Sequence, residues 1–280
     1  MNRIQEGYCL VPNPFNAHQV SRVSLLPQDV DAIVFWSKNP RPMARHMPLL
    51  DRMGYVSYFL YTLLDYPKDF EPHVPSLQQR IATFRLLGDR LGPQRMVWRY
   101  DPIIVSSVTP HSFHREKFSA LAAALEGSTT RVIVSIVDYY VKTNRRITPL
   151  ERNGVTFHRE AATDPATKAL LAAMAETAKA HGMQIQSCAE TEDYSNLGVP
   201  PGACIDATLI SNLGGHATST KDPGQRSDCL CAVSRDIGVT DTCLHGCIYC
   251  YATRSHQLAL RRHSEHVSTD PMLWASHPSP

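Results

Sequence analysis

Residues 96–137, MVWRYDPIIVSSVTPHSFHREKFSALAAALEGSTTRVIVSIV, carry a strand, a helix and a second strand in one run. Met96–Tyr100 (MVWRY) and Arg131–Val137 (RVIVSIV) are short, rich in β-branched and aromatic residues, and show little polar–apolar alternation. Such runs suit strands that are covered on both faces. Between them Thr109-Pro110 opens a helical stretch and Gly127 closes it. A strand that returns through a helix to a second strand lies parallel to it, so the segment predicts a parallel sheet with helical cover.

The same rhythm continues on both sides. Ala32–Trp36 (AIVFW), Val56–Thr62 (VSYFLYT) and Met183–Cys188 (MQIQSC) read as further strands. Ser76, with Gln79 three residues on, makes a capping box ahead of LQQRIATFRLLGDRLG, and Gly92 ends that helix. Asp164 is an N-cap, Pro165 takes the first helical position, and Gly182 follows the alanine-rich body. Five or more such units build a TIM-like (β/α) barrel or an open doubly wound sheet. Polar residues gathered just past the strand ends favour the barrel, because catalytic loops of parallel α/β folds lie there. The candidates for cofactor or substrate contact are Lys38 and Asn39 after the first run, Arg99 and Asp101 at MVWRYD, Asp138 after RVIVSIV, and Glu190 after Cys188. The plainer account of each is that a strand must end in something polar. Leu10–Leu25 reads as a hairpin or extended excursion. The expected fold class is therefore α/β, a TIM-barrel-like parallel barrel over residues 1–210, complete or lacking a strand. A cysteine-rich metal-binding lobe over 211–263 packs on it, and 264–280 forms a surface tail.

Composition bounds the function. The chain has 280 residues, 43% of them hydrophobic, enough for one large core. With 28 basic and 26 acidic residues the net charge is +2, which leaves little electrostatic footprint for nucleic acid or an anionic membrane. The N-terminal MNRIQEGYCLVPNPF has no apolar run of signal-peptide length, and no window spans a bilayer. A cytoplasmic protein is expected, and there clustered cysteines are metal ligands more often than disulfides.

Seven of the eight cysteines fall between Cys188 and Cys250. Cys243, Cys247 and Cys250 form a C-x3-C-x2-C loop, CLHGCIYC. Cys229 and Cys231 form C-x-C, and Cys188 and Cys204 stand at the borders of expected elements. Thiolate sulfur selects zinc, copper(I) and iron–sulfur clusters. Structural zinc usually draws on paired knuckles, whereas a trio at this spacing can wrap three corners of a [4Fe–4S] cubane and leave the fourth iron open. Cys188, Cys204, Cys229 and Cys231 are the right number for a second, fully ligated site, iron–sulfur or zinc; the plainer reading makes Cys188 and Cys204 ordinary buried thiols. Cys9 reads as a plain thiol, and His245 as a neighbour of the trio rather than a ligand.

The C-x3-C-x-aromatic-C pattern, with Tyr249 as the aromatic, resembles the cluster motif of the radical S-adenosylmethionine superfamily, and YCYA is close to the form in spore photoproduct lyase relatives. More widely, NPFNAHQVSRVSL, IVFWSKNP, WRYDPI, SIVDYY, CAE and DTCLHGCIYCYA resemble together a bacterial family of uncharacterised function whose members end in this cluster. The resemblance spans nearly the whole chain. It implies a [4Fe–4S] cluster on the trio, with any second cluster resting on the cysteine count alone, S-adenosylmethionine bound at the open iron and cleaved to a 5′-deoxyadenosyl radical, and an electron donor such as a flavodoxin or ferredoxin. The substrate stays unknown. Two departures stand out. The trio comes last, where the superfamily places it after the first strand. Family members also begin with a further strand and a Ser-x-Arg-Arg-Thr-Asp-like motif, so this chain is expected to start late, leaving an exposed strand edge. Two other readings compete. One is a barrel hydrolase or lyase with a structural zinc lobe, in which Asp101, Asp138 and Glu190 do acid–base chemistry. The other, weaker on charge grounds, is a DNA-repair or nucleic-acid-binding protein.

Overall fold

A computed structural model describes residues 1–13, 16 and 19–274. The chain opens with a short helix α1 (Asn2–Glu6), followed by the antiparallel pair β1 (Tyr8–Pro12) and β2 (Val20–Ser24). The expected excursion is thus a hairpin; its centre at 14, 15, 17 and 18 lies outside the described residues.

Then come β3 (Ile33–Ser37), α2 (Met47–Arg52), β4 (Ser57–Thr62), α3 (Leu77–Leu91) and β5 (Met96–Ile103). They are followed by α4 (His111–Leu125), β6 (Arg131–Ile136), α5 (Val141–Arg152), α6 (Pro165–Ala180) and β7 (Gln184–Cys188). The chain closes with β8 (Pro201–Gly202), α7 (Ala207–Asn212) and α8 (His256–Ser264). All five expected strands form, and the three helices with caps legible in the sequence form where those caps stand. Ser76 and Gln79 exchange both capping-box hydrogen bonds, and Asp164 accepts from the Thr167 N–H.

Strands β3 to β8 pair in sequential order, all parallel, in one six-stranded sheet. The sheet does not close: β3 and β8 are its two edges, so of the barrel expected either complete or lacking a strand, the complete form is not what is seen and the arrangement is an open mixed α/β one. At the β3 edge Trp36 is 52% exposed. Alternation sorts the strand residues into two layers. Phe59, Tyr61, Trp98, Val132 and Val134 join the large core that includes residues of α3, α4 and α6. Tyr58, Leu60, Val97 and Ile133 face the other way, onto Leu209 and Ile210 of α7 and onto Cys204, Cys229 and Cys231. The Tyr58 hydroxyl donates to the Cys204 carbonyl (2.6 Å), and Arg131 pairs with Asp206 (2.5 Å), fixing the start of α7 on that face.

Residues 265–274, read from the sequence as part of a surface tail, run alongside β1: the Leu10 N–H donates to the Pro271 carbonyl (2.8 Å) and Leu10 bridges Met272. The SHPSP end, 276–280, lies outside the described residues. No helix among the described residues is long and apolar enough to cross a membrane.

Candidate functional site

The carboxyl ends of the parallel strands carry most of the polar candidates, in two neighbouring groups. The first surrounds the cysteine trio. Its loop crosses the β3 and β4 ends, where the Ile248 N–H donates to the Phe70 carbonyl (3.1 Å) and the His73 N–H to the His245 carbonyl (3.2 Å). Gly246 sits at φ +68° with Pro72 and His73 so close that an added Cβ would meet them at 3.3 and 3.1 Å, so this turn needs glycine. Arg146 of α5 reaches over the loop. Its guanidinium donates to the carbonyls of Cys247 (2.7 Å), Cys250 (2.5 Å) and Thr253. Tyr249 is buried and donates its hydroxyl to Glu71.

Glu71 explains Lys38. The two form an ion pair at 2.8 Å, Arg80 stands 3.6 Å from the other carboxylate oxygen, and the Lys38 ammonium lies 5.2 Å over the Tyr249 ring. Burial raises the Glu71 carboxyl, but the Lys38 charge and hydrogen bond, the Tyr249 hydroxyl and Arg80 outweigh it, holding Glu71 below the usual carboxylate range. Asn39 donates its backbone N–H to the Ser37 hydroxyl (3.0 Å) and shapes the turn after β3. In the trio, burial pushes the Cys247 thiol up to about 12, so it is a neutral thiol when bare, while Cys243 stands exposed. Burial lowers His245, whose Nδ1 faces the His73 carbonyl at 3.4 Å.

The second group lies towards β5–β8. Arg99, 3% exposed, donates to Asp101 (2.5 Å) and to the Cys204 sulfur (2.6 Å), and its guanidinium lies 4.1 Å over the Trp36 ring. Burial opposes its charge, but Asp101 and the neighbouring thiols prevail and keep it protonated. Ser135 donates to the other Asp101 oxygen. Glu190 accepts from the Ile136 N–H (2.8 Å); burial, with Asp138 and Asp101 nearby, pushes its carboxyl up to about 7. Asp138 is half exposed and bonds Arg226 (2.6 Å) and the Tyr140 hydroxyl (3.1 Å).

Four thiols complete this group. Cys188 and Cys204 have their sulfurs 2.9 Å apart. Cys204, Cys229 and Cys231 share one buried cluster. Cys204 keeps its proton between Cys188 and Cys231. Its hydrogen bonds hold Cys188 below the ordinary thiol value and Cys231 at about 5, while burial raises Cys229. Tyr251 is exposed; its carbonyl accepts from Lys142 (3.1 Å) and its ring lies 6.2 Å from that of Tyr140. A shallow hollow of about 450 Å³ along α4 includes none of these residues.

Among the described residues no three or more His, Cys, Asp or Glu side chains stand already spaced around an ion. The trio suits a cluster by donor chemistry and by its place at the strand ends. Glu71, Arg80, Arg146, Arg226 and Trp36 carry the geometry of the two groups, and the sequence held no local signal for any of them. The nearest hint was Tyr249, the aromatic inside the cysteine motif.

The fold and the site define a mixed α/β protein with a thiol-rich polar mouth at the carboxyl ends of its parallel strands. The chain belongs to a family described as a domain of unknown function (DUF1848), whose model matches residues 1–252 and so ends two residues past Cys250. No curated protein and no solved structure matches the chain.

Proposed function

We propose that the protein is an iron–sulfur enzyme of the radical S-adenosylmethionine type, with Cys243, Cys247 and Cys250 as the ligands of a [4Fe–4S] cluster. One observation carries the reading: the C-x3-C-x2-C loop, far along the sequence from β3 and β4, lies over their carboxyl ends, where a parallel α/β sheet keeps its active site. Sequential parallel order is that of a barrel wall, and we read the open sheet as an incomplete barrel. Such a cluster, when bound, supplies one electron at its cysteine-free iron to a cofactor coordinated there.

The chain's own residues divide the remaining work. Arg146 holds the loop backbone, and the Glu71–Lys38–Tyr249 set fixes its underside. Arg99 is buried and holds Asp101, whose partly exposed carboxylate can meet a polar substrate or the amino end of the cofactor. Glu190, ionising near pH 7, can give or take a proton at the mouth. Reduction needs an external donor such as a flavodoxin or ferredoxin.

Anaerobic purification with iron, acid-labile sulfide and zinc analysis tests this. Iron and sulfide in cluster stoichiometry, with broad visible absorption that is lost in Cys247→Ala, is the expected result. Protein that retains no iron or sulfide after anaerobic reconstitution with both defeats the proposal and favours a zinc-stabilised hydrolase or lyase.

A further inference from the structure

The other four thiols form a site of a different kind. Cys188 ends β7, Cys204 follows β8, and Cys229 and Cys231 come from the long segment beyond α7. Three separate pieces of chain thus deliver four sulfurs to one place: Cys188 and Cys204 lie 2.9 Å apart, and Cys204, Cys229 and Cys231 share one buried cluster against which Cys188 packs. We propose that Cys188, Cys204, Cys229 and Cys231 bind one zinc ion through four thiolates, a closed structural site that fastens segment 214–240 to the carboxyl ends of β7 and β8. The inference is independent of the cluster assigned to the trio.

Spacing decides between zinc and a second cubane. A tetrahedral ion with Zn–S bonds of about 2.3 Å sets its sulfurs about 3.8 Å apart. The Cys188–Cys204 pair needs to open by only about 1 Å to reach that. A cubane puts each thiolate on a different iron, with the sulfide framework between them, and the four sulfurs would have to move much further out. The Cys188 and Cys204 sulfurs sit closer together than a bound ion would set them, with Arg99 on Cys204.

The surroundings suit a tetrathiolate. Zinc with four thiolates carries a net charge of −2, and a buried charge of that size needs donors. Two are in place: the Arg99 guanidinium on the Cys204 sulfur (2.6 Å) and the Ile205 N–H on the Cys231 sulfur (3.4 Å). Binding sends the remaining thiol protons to solvent.

Segment 214–240 is otherwise held by single hydrogen bonds and by the half-exposed Arg226–Asp138 ion pair. It has no helix or strand, only an isolated bridge between Lys221 and Ala232, and its buried residues are Cys229, Cys231 and Ala232. A structureless stretch of that length in a compact protein is uncommon, and small loop-rich regions generally need a staple. Four ligands leave no open coordination position, which is the mark of structural zinc.

The test is metal analysis of the full chain, purified anaerobically from zinc-supplemented medium, as wild type, Cys231→Ser and Cys247→Ala, with cobalt(II) substitution of the wild type. About one zinc per chain is expected in wild type and in Cys247→Ala, falling at least fivefold in Cys231→Ser. The cobalt form should give the intense visible absorption of tetrahedral tetrathiolate cobalt. If Cys231→Ser does not fold, that cobalt spectrum decides. Zinc-free wild type, zinc lost with Cys247→Ala but kept in Cys231→Ser, a Cys188–Cys204 disulfide, or iron and sulfide assigned to these four cysteines would each overturn the site. Zinc at the four thiols without iron at the trio would leave this inference standing and remove the proposed function.

Discussion

Arg146 illustrates how one side chain can organise a loop that has no regular structure. The last carbonyls of an irregular turn have no partner of their own, and a planar guanidinium can satisfy several at once. Here it takes the carbonyls of Cys247, Cys250 and Thr253, two of them at 2.7 and 2.5 Å. Hydrogen bonds to a charged donor contribute about 1.5–3 kcal/mol each, and leaving buried carbonyls unpaired costs a similar amount. Arg146→Ala is therefore expected to lower unfolding stability by about 2–3 kcal/mol and to reduce iron bound per chain, with Arg145→Ala, at an exposed neighbouring position, unchanged in both. Urea melts and metal analysis of the two variants check this; iron retention at the wild-type level in Arg146→Ala would show that the loop needs no such clamp. Lys38 is a different case. Its ion pair with the buried Glu71 fixes the floor under Tyr249, so its first role is electrostatic compensation.

Helix α4 carries a buried titratable group that ties it to the sheet. His114 is wholly buried; its Nε2 donates to the Ile104 carbonyl (2.9 Å) and its Nδ1 accepts from the Tyr100 hydroxyl (3.0 Å), which defines a neutral tautomer. Tyr66 and Phe113 pack edge-on against the ring, and His111 is the nearby group whose charge opposes its protonation. Burial is the main reason its pKa falls to about 4, although the bond to Ile104 pulls the other way. A base depressed in the folded state contributes stability that is complete above its unfolded pKa and is lost as pH falls towards the folded value. The window here runs from about 6.5 down to about 4, and the contribution is about 3 kcal/mol at most. Replacing His114 with Gln should flatten the loss of stability across that window, read as urea midpoints at pH 7 and pH 5. An equally steep decline in the variant would place the pH dependence elsewhere.

Across the whole molecule, order is unevenly held. The sheet and its helices bury a continuous core, with Trp98 stacked on Phe118 at 4.8 Å, while segment 214–240 lies on the surface and is held chiefly at Cys229–Ala232. Local opening follows such differences in buried contact. Limited proteolysis should cut first within 214–240, several times faster after zinc chelation or in Cys231→Ser, and leave the sheet fragment intact. Initial cleavage within β4 to β6 would contradict this ordering of local stability.

The sequence by itself determined the elements of the sheet. MVWRY, RVIVSIV and the three similar runs became parallel strands, and the caps at Ser76 and Asp164 and the Thr109-Pro110 start mark real helices. These signals act over a few residues, through burial on two faces and through satisfaction of helix-end N–H groups, so they survive without knowledge of the fold. The grouping of Cys243, Cys247 and Cys250 was legible for the same reason. Only the tertiary structure decided that the sheet stays open, that Lys38 is matched by Glu71, that Arg146 clamps the trio loop, and that Cys188, Cys204, Cys229 and Cys231 meet. Those contacts join residues from different connections of the sheet. Their energy comes from desolvated charges and sulfurs brought together by strand order, which spacing along the chain does not encode.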